Sequence, residues 1–248
     1  MIISVVNQKG GTAKTTTTIN LGSALAMNGY KVLLVDFDAQ GSLSYSLGKT
    51  DLDTTVVDAV RGDKKLSDCI VQAENFDLLP SNIQLADLEL SLIDAEHREL
   101  YLSSTLQKVS KFYDYILIDC PPSLSLLTVN ALSASDGVLV PMQLDVLSLQ
   151  GLELILDTIK KIKTTFNQKL SLLGVLPVMV DSRRKLTQEV LDYLNEQFEV
   201  RVFQNMIRIN VKASEAPSFG QSVIAYAPES NSARDYINCS QELIKLTK

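Results

Sequence analysis

Ile2-Ile3-Ser4-Val5-Val6-Asn7-Gln8-Lys9-Gly10-Gly11-Thr12-Ala13-Lys14-Thr15-Thr16 is the stretch on which the fold turns. A short run of β-branched residues gives way to a glycine pair, then Lys-Thr-Thr, then a stretch with helical periodicity. Glycines let a chain turn tightly enough for successive N–H groups to face one anion. A helix beginning there adds its partial positive charge. In such a loop Lys14 reaches the β- and γ-phosphates of a nucleotide and the Thr15 hydroxyl ligates Mg²⁺. The strict pattern GxxxxGK[ST] is not met, because its glycine positions hold Gln8 and Ala13. A plain Gly-Gly turn followed by a helix-capping threonine is the competing account, and the motifs further along decide against it.

Working outward, short runs rich in Val, Ile and Leu recur at Ile2–Val6, Lys31–Val35, Phe76–Leu79, Tyr115–Ile118, Gly137–Val140 and Leu172–Val178. Continuous apolar runs suit strands buried on both faces. Amphipathic stretches lie between them, clearest at Thr15–Asn28, Leu147–Thr165 and Arg184–Phe198. This alternation predicts an α/β fold, a parallel twisted sheet with helices on both faces, as one domain over residues 1–248. Ligands in such sheets bind at the carboxyl ends of the strands, and the acidic motifs fall there. The second run ends in Asp36-Phe37-Asp38-Ala39-Gln40-Gly41, whose two acids at i and i+2 point roughly the same way. The fourth ends in Asp119-Cys120-Pro121-Pro122-Ser123. A carboxylate closing a buried apolar strand is the Walker B arrangement, and Mg²⁺, which keeps most of its waters, needs few protein ligands. Thr15, Asp36 and Asp119 are therefore the candidate metal residues, with Asp36 acting through the ion's waters. Cys120 reads as a small buried hydrophobe.

Taken together, these motifs resemble the ParA/MinD family of deviant Walker A ATPases, and the ParA/Soj branch in particular, along nearly the whole chain. Lys9-Gly10-Gly11-Thr12-Ala13-Lys14-Thr15-Thr16 is the phosphate loop of that resemblance, Asp36–Gly41 is similar to D-x-D-P-Q-G with Ala39 for proline, and Met206–Gly220 resembles I-P-R-N-V-R-L-S-E-A-P-S-x-G. The family usually has glycine at position 13, and Ala13 is expected at negative φ, where alanine costs little. The resemblance implies that Lys9 crosses to the nucleotide of a second subunit, a cation supplied in trans like an arginine finger. It implies that Asp38 positions or activates the attacking water, so that Lys9, Lys14 and Asp38 are the catalytic candidates. It implies that the loop at Pro121-Pro122 senses the γ-phosphate, and that Met179, Asp181 and Asn210 contact the purine. Arg208 stands where the family has proline. For Ser214–Gly220, a loop packing under the sheet and a ligand contact explain the match equally well.

The partners follow from the same resemblance: ATP and Mg²⁺, an ATP-dependent homodimer, non-specific DNA and a ParB-like adaptor that stimulates slow hydrolysis. The chain's 248 residues carry a net charge of −6, which by itself speaks against nucleic acid. The charge is segregated, however. Residues 1–150 carry 10 Lys and Arg against 18 Asp and Glu, net −8, while residues 151–248 carry 13 against 11, net +2. Arg183, Arg184, Lys185, Arg208 and Lys212 are the DNA candidates, although scattered basic residues equally serve solubility. The three cysteines, Cys69, Cys120 and Cys239, show no CxxC spacing, which favours a reducing compartment and disfavours a disulfide framework or an iron–sulfur relative. No apolar run approaches the ~20 residues that span a bilayer, so a cytoplasmic, nucleoid-associated protein is expected. The chain begins at its first strand, so no N-terminal helix-turn-helix extension is expected. The tail Ser240–Lys248 is short and lacks aromatic residues, which disfavours a MinD-like membrane anchor. A nucleotide switch without turnover is the remaining alternative, and Asp38 argues against it. His97, the single histidine, is expected on a helix surface with no role.

Overall fold

The computed structural model describes residues 1–181 and 183–248. Seven strands, β1 (Ile2–Val5), β2 (Val32–Asp36), β3 (Val71–Gln72), β4 (Asp77–Leu79), β5 (Tyr115–Asp119), β6 (Gly137–Met142) and β7 (Ser171–Pro177), form one sheet in the order β3-β4-β2-β5-β1-β6-β7. Every pairing is parallel except that of β3 with β4. The six apolar runs each correspond to a strand, to within a residue or two at the ends. The two-residue β3 carries no readable pattern of its own and exists because it pairs with β4.

Five helices matter for the site: α1 (Lys14–Met27), α2 (Leu126–Ala134), α3 (Val146–Thr165), α4 (Lys185–Gln197) and α5 (Asn231–Thr247). The strands alternate between two apolar layers, as a two-residue side-chain period requires. Leu33, Val35, Ile116, Ile118, Val138 and Val140 meet the α2, α3 and α4 side, where Leu127, Leu152, Ile155 and Leu194 are buried. Leu34, Leu117, Leu139 and Leu176 meet α1 and α5 through Leu21, Leu25, Tyr236, Cys239 and Leu243. Gly22 sits where α1 crosses β2, and a Cβ there would lie 2.5 Å from a Leu34 methyl. Any side chain there would force Leu34 to move aside.

The central strands end together. Asp36 and Asp119 are Cα partners in the β2–β5 register, and Val5 pairs with Asp119 from the other side. The loop leading into α1 thus leaves the sheet beside both acids. His97 falls in an exposed turn at φ 53, not on a helix, because Asp94–Glu99 has no apolar periodicity to hold one against the core. All three cysteines are buried and free.

Candidate functional site

The loop between β1 and α1 is built for an anion. Gly11 takes φ 73 and Ala13 takes φ 57, ψ 30, both left-handed. The expectation of negative φ at Ala13 is thereby overturned. Bringing the N–H groups of residues 10–13 round one point requires a left-handed step just before the helix, and alanine has the smallest side chain that can bear it. The strain for a non-glycine there is on the order of 1–2 kcal/mol. Among the described residues no protein acceptor takes the backbone N–H of Gly10, Gly11, Thr12 or Ala13. Four unpaired donors in a concave loop are a nest awaiting an anion.

Lys14 makes the same point. It is 7% exposed, and among the described residues its ammonium has a single hydrogen-bond partner, the Lys9 carbonyl at 3.4 Å. Burial pulls its pKa below the usual lysine range, against the upward pull of Asp119 and Asp38. A buried cation with one long hydrogen bond is under-solvated, and phosphate oxygens would complete its shell. Thr16 stands at the start of the cavity described below.

Thr15 Oγ1 donates to Asp119 Oδ2 at 2.7 Å, and Asp119 Oδ1 is buried with no hydrogen-bond partner among the described residues. Asp36 is fully buried, and its Oδ2 accepts from the Ser44 N–H at 2.8 Å and hydroxyl at 2.6 Å. Burial pushes the Asp36 carboxyl up to about 6 despite those bonds, and Asp119 is pushed well up by burial first and by Asp36 second. A hydroxyl, an orphaned carboxylate oxygen and a second buried acid fit a hard divalent cation that takes its remaining ligands from water and phosphate. Among the described residues no group of three or more His, Cys, Asp and Glu is gathered, so any such ion would be shared with its ligand. Asp38 is half-buried two residues beyond Asp36, and its Oδ1 accepts from the Gln40 N–H at 3.0 Å.

Lys9 turns away from its own loop. Its backbone N–H donates to Asn7 Oδ1 at 3.0 Å, and Asn7 is tied to the Pro141 carbonyl at the end of β6. Its ammonium reaches Asp145 Oδ2 at 2.8 Å and Gln143 Oε1 at 3.4 Å. Asp145 also caps α3, its Oδ1 accepting from the Ser148 N–H and hydroxyl. Burial raises the Asp145 pKa, but these donors together hold it below the ordinary value.

From the phosphate loop a cavity of about 430 Å³ runs toward the ends of β6 and β7. Ala13 and Thr16 lie at one end, and Met179, Asp181 and Asn210 line its walls with Arg184 and Arg208. All three purine candidates are thus gathered in one place, although they come from two separate loops. Met179 is left-handed at φ 52 and 42% exposed, and Gln143 Nε2 lies 2.9 Å from its sulfur. Asp181 is held by Arg183 at 2.9 Å through both carboxylate oxygens. Ser182, between them, lies outside the described residues. Ser214 and Pro217 line the cavity while Ala216 is buried in the core, so that segment packs into the core and also borders the cavity.

The five basic candidates for DNA divide. Arg184 and Lys185 stand at the start of α4, and Arg183 is largely exposed beside Asp181. Arg208 is gripped by Asp235 of α5 at 2.6 Å, and Lys212 by Glu215 at 2.8 Å. The Arg208 N–H also bonds Asp235, at 3.0 Å, a bond that a proline could not make.

Gln143, Asp145, Asp235 and Tyr236 were not anticipated from the sequence. For the first two a signal was present: they follow the carboxyl end of a strand, and Asp145-x-x-Ser148 is a helix-capping spacing. Asp235 and Tyr236 carry no local mark, since α5 reaches the site only through its packing on α1, where the Tyr236 hydroxyl lies 3.3 Å from that of Thr17.

This geometry defines a P-loop nucleotide-binding α/β protein. The comparisons with known proteins narrow the class. An AAA-domain family model matches residues 1–172. The sporulation initiation inhibitor protein Soj of Bacillus subtilis is 43% identical over 246 residues, covering 98% of this chain and 97% of that protein. The chromosome-partitioning ATPase Soj of Treponema pallidum is 42% identical, covering 96% and 95%. Among solved structures, cobyrinic acid a,c-diamide synthase from Mycobacterium smegmatis with bound ADP and magnesium superposes with a TM-score of 0.88 at 36% identity, covering 98% of this chain and 94% of that one. The chain belongs to the ParA/Soj family of partition ATPases.

Proposed function

We propose that this chain is a partition or positioning ATPase that closes into a homodimer on ATP, binds DNA without sequence preference, and hydrolyses ATP slowly until a ParB-like adaptor accelerates it. The observation that carries the nucleotide chemistry is a set of under-satisfied groups in and beside the phosphate loop: among the described residues, the unpaired N–H groups of residues 10–13, the buried Lys14 ammonium with its one long hydrogen bond, and the buried, unpartnered Asp119 Oδ1. Each matches one part of a Mg²⁺-bound triphosphate. The loop N–H groups and Lys14 would hold the β- and γ-phosphates, Thr15 and Asp119 would hold the ion, and Asp36 would support them. Mg²⁺, when bound, would supply neutralisation of the phosphate charge. Asp38 orients the attacking water, and Lys9 of a second copy neutralises the transferred group. Met179, Asp181 and Asn210 enclose the base.

The partition role rests on family kinship and on the basic residues at the start of α4, where phosphate contacts alone would suffice for salt-sensitive binding. A membrane-bound positioning ATPase is less well supported, because α5 turns its apolar face inward: Ala233, Tyr236, Cys239 and Leu243 are buried against α1. Among the described residues no helix is long and apolar enough to cross a membrane.

Binding to a random-sequence DNA duplex tests the proposal, run without nucleotide, with ADP, with ATP, and with ATP on Asp38→Ala, at low and moderate salt, with size-exclusion chromatography alongside. Binding confined to ATP, tracking dimer formation, persisting in Asp38→Ala and weakening with salt is the expected result. Dimerisation on ATP without DNA binding at any salt would reduce the protein to a nucleotide switch, and liposome pelleting would then separate the membrane reading.

A further inference from the structure

The contact between Lys9 and Asp145 joins two tasks in one side chain, capping a helix and holding a cation. Asp145 divides its carboxylate between them. Oδ1 takes the Ser148 N–H at 2.8 Å and hydroxyl at 2.9 Å, fixing the start of the 20-residue α3, while Oδ2 takes the Lys9 ammonium at 2.8 Å. Because one oxygen is locked to a helix, the other offers a fixed acceptor. Lys9 is fixed from the other side too, its backbone tied through Asn7 to the Pro141 carbonyl. Gln143 adds a second acceptor at 3.4 Å. The ammonium has no hydrogen bond to any other side chain among the described residues. In this arrangement two of its three N–H groups are directed at Asp145 and Gln143.

We propose that Asp145 is the positioning residue for Lys9, holding its ammonium on the rim of the nucleotide cavity and out of the reaction until a second copy of the chain brings a more highly charged acceptor within reach. The inference rests on the ATPase reading given above. Slow turnover by the isolated protein follows from it: part of the barrier is the work of taking Lys9 from a carboxylate that has no other cation to replace it. The two side chains are about a third exposed, so the hold is weak enough to be exchanged rather than permanent.

Asp145→Asn separates the two duties, since asparagine caps a helix as well as aspartate does while losing the charge that holds Lys9. Steady-state hydrolysis by the full chain should show kcat raised roughly three- to tenfold with KM for ATP nearly unchanged. Asp145→Glu should return it toward wild type. In a Lys9→Ala background, Asp145→Asn should have no further effect. A residue that only braced α3 would lower turnover and melting temperature together, and would do so with or without Lys9. Either that pattern, or an effect that survives in Lys9→Ala, overturns the proposal. Lysine side-chain NMR supplies a readout independent of turnover. The Lys9 ammonium resonance, assigned by its loss in Lys9→Arg, should move in Asp145→Asn, and an unmoved resonance overturns the proposal. Should the wild type turn over no faster than Lys14→Ala, the ATPase reading fails, and the resonance alone then decides whether Asp145 holds Lys9.

Discussion

The two ends of the nucleotide cavity are made in different ways. The phosphate end comes from consecutive residues, 9 to 16, and from acids that close adjacent central strands. The base end is assembled from Gln143–Asp145, Met179–Asp181, Ile207–Asn210 and the face of α5 that carries Ser232 and Tyr236. The first is set by backbone conformation, with donors aimed by left-handed steps at Gly11 and Ala13. The second is set by topology and lined by side chains that mostly have partners already, such as Asp181 with Arg183 and Arg208 with Asp235. Unpaired groups bind strongly and paired ones shape a wall. The phosphate end should therefore carry the affinity, and the base end should carry the preference among bases.

The strongest way to break that contrast is to compare Lys14→Ala with Met179→Ala by calorimetry with Mg-ADP. Losing the lysine should cost affinity by a factor on the order of a hundred, because the charge-assisted bonds to the β-phosphate disappear and the nest loses its buried cation. Losing the methionine should cost no more than about tenfold, the worth of one side chain against a ring. Equal losses would put the affinity at both ends.

Asp36 sharpens the comparison through pH. Its folded pKa of about 6 stands above the ordinary 3.8. The fold therefore binds that proton more tightly than the unfolded chain does. The stabilisation is complete below the ordinary value and is lost as pH rises through about 6. Ligand-free wild type should thus lose stability relative to Asp36→Asn between about pH 4 and pH 7, by roughly 3 kcal/mol, as measured by denaturant unfolding. A constant difference across that range would mean that the carboxyl ionises freely. Asp181, held by an arginine at the exposed base end, should show no comparable cost at neutral pH.

The smallest effect concerns Ala13. Replacing it with glycine removes left-handed strain but loosens the unfolded chain, for a net gain on the order of 0.5–1 kcal/mol, seen as a rise of a few degrees at most in melting temperature. Nucleotide affinity should stay the same. A gain in affinity would mean that the strained alanine distorts the nest.

The same contrast explains what the sequence made visible. Six strands and three helices were legible because burial on both faces writes continuous apolar runs, and Lys14, Thr15 and Asp119 because the chemistry of the phosphate loop depends on neighbours in the chain. Ala13 was misjudged in conformation because identity alone does not report φ; only the spatial demand on the N–H groups does. Asp145 was hidden by the ordinary look of a helix cap. Asp235 and Tyr236 were hidden because α5 lies more than two hundred residues from the loop it completes, and nothing local in Asn231–Thr247 indicates which helix it will meet.

That last helix has a consequence in time. Residues emerge from the ribosome in order, and the phosphate loop is made within the first few seconds of synthesis. Yet the wall of the cavity that Ser232 and Tyr236 supply, and the Tyr236 contact with Thr17, exist only once Asn231–Thr247 has been made. A growing chain that exposes Lys14 early therefore has no finished nucleotide site, and fragments released before α5 should not compete for ATP with the finished molecule.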